Sequence, residues 1–220
     1  MDLPSTGAED YARCLRDLAA LNWLTMTHRP TLRWLDRATA DLPPGAAISV
    51  LDVACGHGDL LRAIHRWAAR RGLRATLHGI DLNPRATAVA TAATPAGMAI
   101  TYRTGDVFAY RPGPAPDFIV SSQFAHHLAE PALVRFLGWL ERYAERGWFI
   151  ADLNRHWVPY YGFRLLAWAM GWHRIVRLDG TVSIARGFRR ADLIAALAAA
   201  GVDAEIGWHL MFRYGVGRLK

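Results

Sequence analysis

Residues 50–60 read Val50-Leu51-Asp52-Val53-Ala54-Cys55-Gly56-His57-Gly58-Asp59-Leu60. The run begins with apolar, partly β-branched residues, which favour a buried strand, and it ends in a turn that contains two glycines. A helical pattern then extends from Asp59 to Arg71, and Gly72 is typical of the position after a helix. A buried strand, a glycine-containing turn and a helix in this order predict the first unit of an α/β fold.

The same unit recurs along the chain. Short apolar runs alternate with helical patterns, which implies parallel strands joined by right-handed helical crossovers. The predicted strands are Ile48–Val53, Thr76–Ile80, Ala99–Arg103, Phe118–Ser122, Trp148–Asp152, Ala204–Leu210 and Met211–Arg218. The other predicted helices are one or two within Tyr11–Ala40, then Pro84–Ala93, Pro131–Arg146 and Asp192–Ala200.

Composition limits the class of protein. The 220 residues are 52% hydrophobic and 20% charged, which excludes a disordered or fibrous chain. The net charge of +7 leaves an anionic partner open, although the arginines are scattered among acids. Cys14 and Cys55 match no metal spacing and no secreted disulfide framework. The first ten residues lack a secretory pattern, and the longest apolar segment is interrupted by Arg164, so we expect a cytoplasmic protein without a metal or a membrane span.

Two interpretations compete for the turn after the first strand. A nicotinamide dinucleotide site needs a third glycine at the start of the helix, where Leu61 stands instead. Asp52 would also place a negative charge against the pyrophosphate of such a cofactor. An acid at the strand end suits a cofactor that is positively charged at that point, and a nicotinamide oxidoreductase is therefore disfavoured.

This run resembles motif I of class I S-adenosylmethionine-dependent methyltransferases, in which an Asp or Glu precedes a Gly-x-Gly-x-Gly turn. The resemblance implies S-adenosylmethionine (SAM) as the cofactor, with Asp52 fixing its amino group and Ala54, Gly56 and Gly58 wrapping its methionine portion. Ala54 replaces the first glycine of the pattern, and we expect slightly tighter packing there. The resemblance also implies a Rossmann-like α/β fold, with seven mostly parallel strands, helices on both faces and an antiparallel C-terminal hairpin.

Two further acids follow the second and third strands. Asp81 comes 25 residues after Gly56 and can accept hydrogen bonds from two ribose hydroxyls, with Leu82 beside it. Asp106 and Val107 follow the third strand, where the resemblance implies contacts with adenine. A turn or capping role is the alternative for each acid. Gln123, after the fourth strand, completes the expected cofactor site.

The segment Ser121–Leu128 follows the carboxyl end of a central strand, where open α/β sheets bind ligands. It lacks the acidic or amide residue, two prolines and aromatic residue of methyltransferases that act on amino groups of bases, and no Pro-Cys pair occurs, so no nucleic acid is expected. His126 lies at an offset similar to that of the catalytic histidine in O-methyltransferases resembling the plant phenol-methylating enzymes. A neutral imidazole can remove a hydroxyl proton, so His126 and His127 are the candidate bases, of which one faces the substrate. A packed or capping histidine is the alternative.

The flanks of this pattern are expected to form the acceptor pocket. We predict an N-terminal helical lid at residues 1–44 and a methyltransferase domain at 45–220, with a substrate cap at 154–190. The candidate acceptor contacts are Trp23, His28, Asn154, His156, Tyr160 and Tyr161. Aromatic residues in the cap favour an apolar acceptor such as a phenol, a polyketide or a quinone precursor, and the lid and cap resemble those of bacterial enzymes of secondary metabolism. Simple packing of these aromatics and insertion into a membrane surface stay open.

The sequence therefore predicts a SAM-dependent methyltransferase that methylates a small apolar or aromatic molecule, more readily at oxygen than at carbon. C-methylation of a quinone or polyketide precursor is the alternative reaction. A different class of protein, a non-catalytic or nucleic-acid-binding member of the same fold, is the alternative to an enzyme. Neither the acceptor nor the oligomeric state can be derived from the sequence.

Overall fold

The computed structural model describes residues 8–170 and 174–220, and within these ranges it contains one seven-stranded sheet of order β3-β2-β1-β4-β5-β7-β6. The strands are β1 Ala47–Val53, β2 Arg74–Asp81, β3 Ile100–Thr104, β4 Phe118–Ser122, β5 Gly147–Leu153, β6 Glu205–His209 and β7 Arg213–Leu219. All neighbours are parallel except β7, which is antiparallel to β5 and β6. The predicted fold class, including the C-terminal hairpin, is confirmed.

Helices join the strands and cover the sheet. They are α1 Ala8–Leu24, α2 Arg29–Ala38, α3 Asp59–Arg70, α4 Pro84–Ala93, α5 Glu130–Tyr143, α6 Trp157–Ala169, α7 Arg174–Arg186 and α8 Arg190–Ala200, with a short 3-10 helix at Ala125–His127. The predicted bounds differ from these by a few residues at several ends, since terminal turns carry the weakest sequence signal.

One face of the sheet is covered by α2 and α3. Leu61, Ile64 and Trp67 recur at helical spacing on α3 and are buried against the sheet. Trp34 of α2 is stacked on Phe149 of β5, with ring centroids 5.4 Å apart. A second core, on which α5 and α8 pack, includes Phe136, Trp148 and Leu197. The two apolar layers explain why the central strands are buried on both sides.

The segment predicted as a lid contains two helices with different positions. The Trp34 side of α2 belongs to the core layer described above. Tyr11 and Leu15 of α1 instead pack on Ala86 of α4 in a smaller cluster. The lid at residues 1–44 stays a prediction. Residues 1–7 of the predicted lid and 171–173 of the predicted cap lie outside the described residues.

The parallel strands β1, β2, β4 and β5 end at the same edge of the sheet. Asp52 of β1 lies opposite Gly79 of β2 and Val120 of β4, so the polar residues that follow these strands are brought together. The segment predicted as the cap begins directly after β5 and contains the packed pair α6 and α7. Among the described residues, no helix combines the length and hydropathy needed to cross a membrane.

Candidate active site

The turn after β1 is built on left-handed backbone conformations. Ala54, Gly56 and Gly58 have φ values of 58°, 51° and 74°. A Cβ at Gly58 would collide with the Tyr102 hydroxyl group, so a side chain at this position would displace Tyr102. At position 54 an L-residue adopts a conformation that glycine reaches without strain. The structure thus adds a backbone cost to the substitution that the sequence interpretation treated as a question of packing.

Asp52 is the buried acid of this site, with 2% of its surface exposed. Burial raises its pKa well above the ordinary value, and the negative charges of Asp59 and Asp81 raise it further. A carboxyl in this environment gains from a cationic ligand, because a nearby positive charge favours its ionised form. The turn and Asp52 together therefore suit a cofactor that presents an ammonium group.

Asp81 at the end of β2 is connected to the glycine turn. Its Oδ2 accepts a hydrogen bond from the Gly56 amide at 2.9 Å, and its Oδ1 accepts one from the Asn83 amide at 2.9 Å. These bonds orient the carboxylate at the strand end. Leu82, the next residue, is exposed.

Asp106 follows β3 and is exposed, with its Oδ1 accepting from the Phe108 amide at 2.9 Å. This is the turn contact that the sequence interpretation kept as the alternative to adenine binding. Since Oδ1 has a second lone pair and Oδ2 has its own, the contact is compatible with both roles. Val107 beside it is buried.

A polar network that sequence reasoning missed connects the end of α1 to the glycine turn. Gln123, after β4, donates to the Asn22 side-chain oxygen at 2.6 Å. The Asn22 amide nitrogen donates to Asp59 Oδ2 at 3.0 Å, and His28 Nε2 lies 2.9 Å from the same oxygen. His28 is thus directed at Asp59, whereas the sequence interpretation assigned it to the acceptor. No local pattern could have revealed this network, because its members are separated by up to 101 residues.

The network sets the charge of Asp59. Burial alone would raise the pKa of Asp59, but the hydrogen bond and charge of His28 and the hydrogen bond from Asn22 outweigh burial and lower the pKa to about 2. Asp59 also occupies the first turn of α3, where the helix dipole favours a negative charge.

His126 and Asp152 form a buried pair at the ends of β4 and β5. His126 Nδ1 lies 2.7 Å from Asp152 Oδ1, and the His126 amide donates to Asp152 Oδ2 at 3.2 Å. The Nε2 atom of His126 is buried and has no hydrogen-bond partner among the residues that the structure describes. Asp152 was predicted only as a strand end, since its pairing with His126 depends on β4 and β5 being neighbours. His127 is exposed, and its ring lies 4.2 Å from that of His126.

The other candidate acceptor contacts are on or near helices α1 and α6. Asn154 forms an isolated β-bridge with Phe188, and its backbone N–H donates to the Phe212 carbonyl oxygen at 2.9 Å. These backbone contacts give Asn154 a structural role. His156 caps α6 by accepting from the Val158 amide, and its ring stacks on Phe212. The remaining three candidates are Trp23, which is exposed, and Tyr160 and Tyr161, whose rings touch edge to face.

Arg213 at the start of β7 is a buried residue that sequence reasoning did not single out. Its guanidinium donates to the Thr25 hydroxyl at 2.9 Å and to the Thr27 hydroxyl. Burial lowers its pKa to about 10, and the negative charge of Asp152 opposes that shift. Arg213 therefore joins the turn after α1 to the strand beside the His126–Asp152 pair.

Residues 50–147, which contain the glycine turn and the acids after β1, β2 and β3, match the family model described as a methyltransferase domain. The chain contains a methyltransferase domain. This match agrees with the methyltransferase predicted from the motifs. No curated protein sequence matches the methyltransferase significantly.

Solved structures with low sequence identity share the fold of this methyltransferase. The plantazolicin methyltransferase BpumL in complex with SAH is 14% identical with a TM-score of 0.68, over 97% of this chain and 88% of that one. Magnesium protoporphyrin IX methyltransferase from Synechocystis PCC 6803 with bound SAH is 16% identical with a TM-score of 0.58, over 89% and 82%. Human N-acetylserotonin methyltransferase in complex with SAM is 14% identical with a TM-score of 0.65, over 97% of this chain and 56% of that one. These likenesses establish the fold.

Proposed function

We propose that this methyltransferase transfers the methyl group of SAM to a hydroxyl of an apolar or aromatic small molecule, with His126 as the general base and Asp152 positioning it. The observation that carries this proposal is the geometry of the buried pair, in which Nδ1 faces Asp152 at 2.7 Å. An imidazole that donates its Nδ1 proton to a carboxylate has its lone pair on Nε2. In His126 this Nε2 is buried and unpartnered among the described residues.

The residues after the first three strands fit the cofactor. Asp52 is a buried carboxyl whose pKa is raised by burial and by two acidic neighbours, so a ligand ammonium group would relieve an unfavourable charge. The left-handed turn leaves room for a bound chain beside Gly56, since a Cβ at this position would meet no atom within 4 Å. Asp81 is oriented by the turn itself and Asp106 lies exposed at the next strand end.

The bound cofactor supplies a methyl group on a positively charged sulfur. In the proposed reaction, a lone pair of the acceptor oxygen forms the new O–C bond while the C–S bond breaks and its electrons stay on sulfur. His126 Nε2 takes the hydroxyl proton, and the carboxylate of Asp152 stabilises the resulting imidazolium. The sulfur atom is positively charged in the cofactor and neutral in its product. The negative charges of Asp52, Asp59 and Asp81 therefore favour binding of the cofactor over binding of the product.

The cap contributes by excluding water. His126 is 5% exposed, and α7 packs against the 3-10 helix that carries it. An acceptor must therefore enter beneath or beside the cap, and an apolar molecule loses less hydration on doing so than a polar one. In this arrangement the binding of substrate and the removal of water occur together.

Calorimetry with SAM and S-adenosylhomocysteine, followed by a screen of phenols, polyketides and quinone precursors, tests the proposal. His126→Ala should reduce kcat by roughly 100-fold or more while the Kd for SAM stays within about twofold, because the base acts on the proton alone. Asp152→Asn should shift the pH dependence of kcat, a change that a purely structural role would not produce.

The controls separate the parts of the proposal. His127→Ala should retain most of the activity, since His127 is exposed. If the His126→Ala variant kept full turnover, His126 would not be the general base, and methyl transfer to carbon would be favoured. Absence of SAM binding by the folded wild-type protein would contradict the cofactor site as well.

A further inference from the structure

Helix α6 exposes an apolar face that the rest of the described chain leaves uncovered. Trp157, Tyr161, Leu165 and Trp168 are each more than 60% exposed, and their spacing places them on one side of the helix. The opposite side packs on α7, where the Phe163 ring occupies the space that a Cβ of Gly180 would need. A helix with large apolar residues on two opposite sides is normally covered on both.

This face continues onto the turn between β6 and β7. Leu210 and Met211 are exposed there, and Phe212 of the same turn stacks on His156 at the start of α6, with ring centroids 5.3 Å apart. We call the exposed side chains of Trp157, Tyr161, Leu165, Trp168, Leu210 and Met211 the apolar rim. The rim begins beside the carboxyl ends of β4 and β5, where His126 and Asp152 lie. Large continuous apolar patches of this kind mark contact surfaces.

Positive charge is concentrated in the same part of the chain. Residues 154–190 contain seven arginines and one acid, Asp179, whereas the other residues together contain 19 basic and 18 acidic side chains. Almost the whole net charge of +7 thus belongs to about a sixth of the sequence. Arg164 lies on the exposed side of α6, near the Tyr160 ring, and Arg177 is exposed on α7.

Aromatic and aliphatic residues together with arginines on one exposed surface are typical of helices that lie in a membrane interface. Trp and Tyr favour this interface because their rings are apolar and their N–H and O–H groups stay hydrated, and arginines are attracted to anionic lipid head groups. We propose that the apolar rim and the arginines of the cap bind the surface of an anionic lipid bilayer, with the mouth of the active site turned towards the lipid. Bilayer binding is independent of the function proposed above. Entry of an apolar acceptor from the bilayer, in contrast, rests on that proposed function.

Flotation of the full chain with vesicles tests bilayer binding without reference to activity. The vesicles are pure phosphatidylcholine or phosphatidylcholine with about one third phosphatidylglycerol, at low and high salt. The wild-type protein should float with the anionic vesicles and much less with the neutral ones, and high salt should weaken the association because it screens the arginines.

Substitutions that leave the net charge unchanged distinguish vesicle binding through the apolar rim from electrostatic attraction of a basic protein to anionic vesicles. Leu165→Ser with Trp168→Ser should reduce the bound fraction about tenfold or more, since two interfacial side chains are lost. Ile194→Ser with Leu219→Ser removes two exposed apolar residues that lie outside the rim and should change nothing. Thermal unfolding of each variant confirms that it is folded.

Three results would overturn the proposal. One is failure of the folded wild-type protein to float with anionic vesicles. Another is equal binding by the Leu165→Ser, Trp168→Ser variant. The third is a concentration-dependent dimer in analytical ultracentrifugation that this variant abolishes while vesicle binding is unaffected, which would assign the rim to a second copy of the chain.

Discussion

Ala54 adopts a left-handed backbone conformation, which is unfavourable for any residue with a side chain. With φ at 58°, it occupies the left-handed region in which a non-glycine residue costs about 1 to 2 kcal/mol. Other residues of the turn that reach this region, Gly56 and Gly58, avoid that cost. The resemblance to the methyltransferase motif identified the position as unusual, but the sequence alone did not reveal the φ value.

Ala54→Gly should stabilise the protein. Relief of the strain exceeds the entropy that glycine adds to the unfolded chain, and we expect a net gain of about 0.5 to 1 kcal/mol, or a rise of about 2 °C in Tm. Ala109→Gly, in an exposed turn with negative φ, is the matched control and should lower Tm instead. An equal decrease in Tm in the Ala54→Gly and Ala109→Gly variants would show that the backbone at position 54 is not strained.

Asp52→Asn should stabilise the protein at neutral pH while weakening SAM binding. The pKa of Asp52 is higher in the folded than in the unfolded state, so its contribution to stability is favourable below the unfolded pKa of about 3.9 and is lost as pH rises through the raised value. Asn removes the buried charge. Tm should therefore exceed that of the wild type at pH 7 by a margin that shrinks as pH falls, and a lower Tm at pH 7 would refute this account.

At the scale of secondary structure, the turn after α1 is bound to the start of α3 by Asp59. Asn22 and His28 both place a side-chain nitrogen within 3.0 Å of its Oδ2, and Gln123 extends the network to the end of β4. Helices, strands and the family motif could be predicted because they depend on local periodicity and on residues close in sequence. The network and the His126–Asp152 pair could not, because they depend on which strand ends become neighbours.

The Asp59→Asn substitution should change how the free energy of unfolding depends on pH in the acid range. Because the folded pKa is about 2 and the unfolded one about 3.9, the charge contributes its full stability above about pH 4, and this contribution is lost as pH falls towards 2. The variant should be less stable than the wild type at pH 6, by about 1 to 3 kcal/mol, and the difference should narrow between pH 4 and 2. Asp41→Asn, at an exposed acid, is the control and should follow the wild-type curve. Urea unfolding at each pH measures both.

For the molecule as a whole, two buried cysteines report on different parts of the fold. Cys14 lies buried on the peripheral helix α1, whereas Cys55 lies in the core between α3 and the sheet. Burial raises the pKa of Cys55, and the charges of Asp52 and Asp81 raise it further, so its thiol is unreactive in the native state.

In single-cysteine variants made by Cys14→Ser and Cys55→Ser, the thiol of Cys14 should react with a disulfide reagent faster than that of Cys55. We expect movement of α1 away from the helices that it packs on to expose Cys14, whereas exposure of Cys55 requires disruption of the main core. Saturating SAM should slow the reaction of Cys55 further, since the cofactor site includes the adjoining turn. Faster labelling of Cys55 than of Cys14 would contradict this order of opening.

The position of β7 between β5 and β6 also has a consequence for synthesis on the ribosome. β6 emerges before β7 but touches the sheet only through it. Until β7 is available, β5 is an open edge and β6 has no neighbour in the sheet. Nascent chains halted in this interval expose a hydrogen-bonding edge to other chains, which makes them candidates for aggregation and for chaperone capture. Insertion of β7 closes that edge and joins β6 to the sheet in a single step.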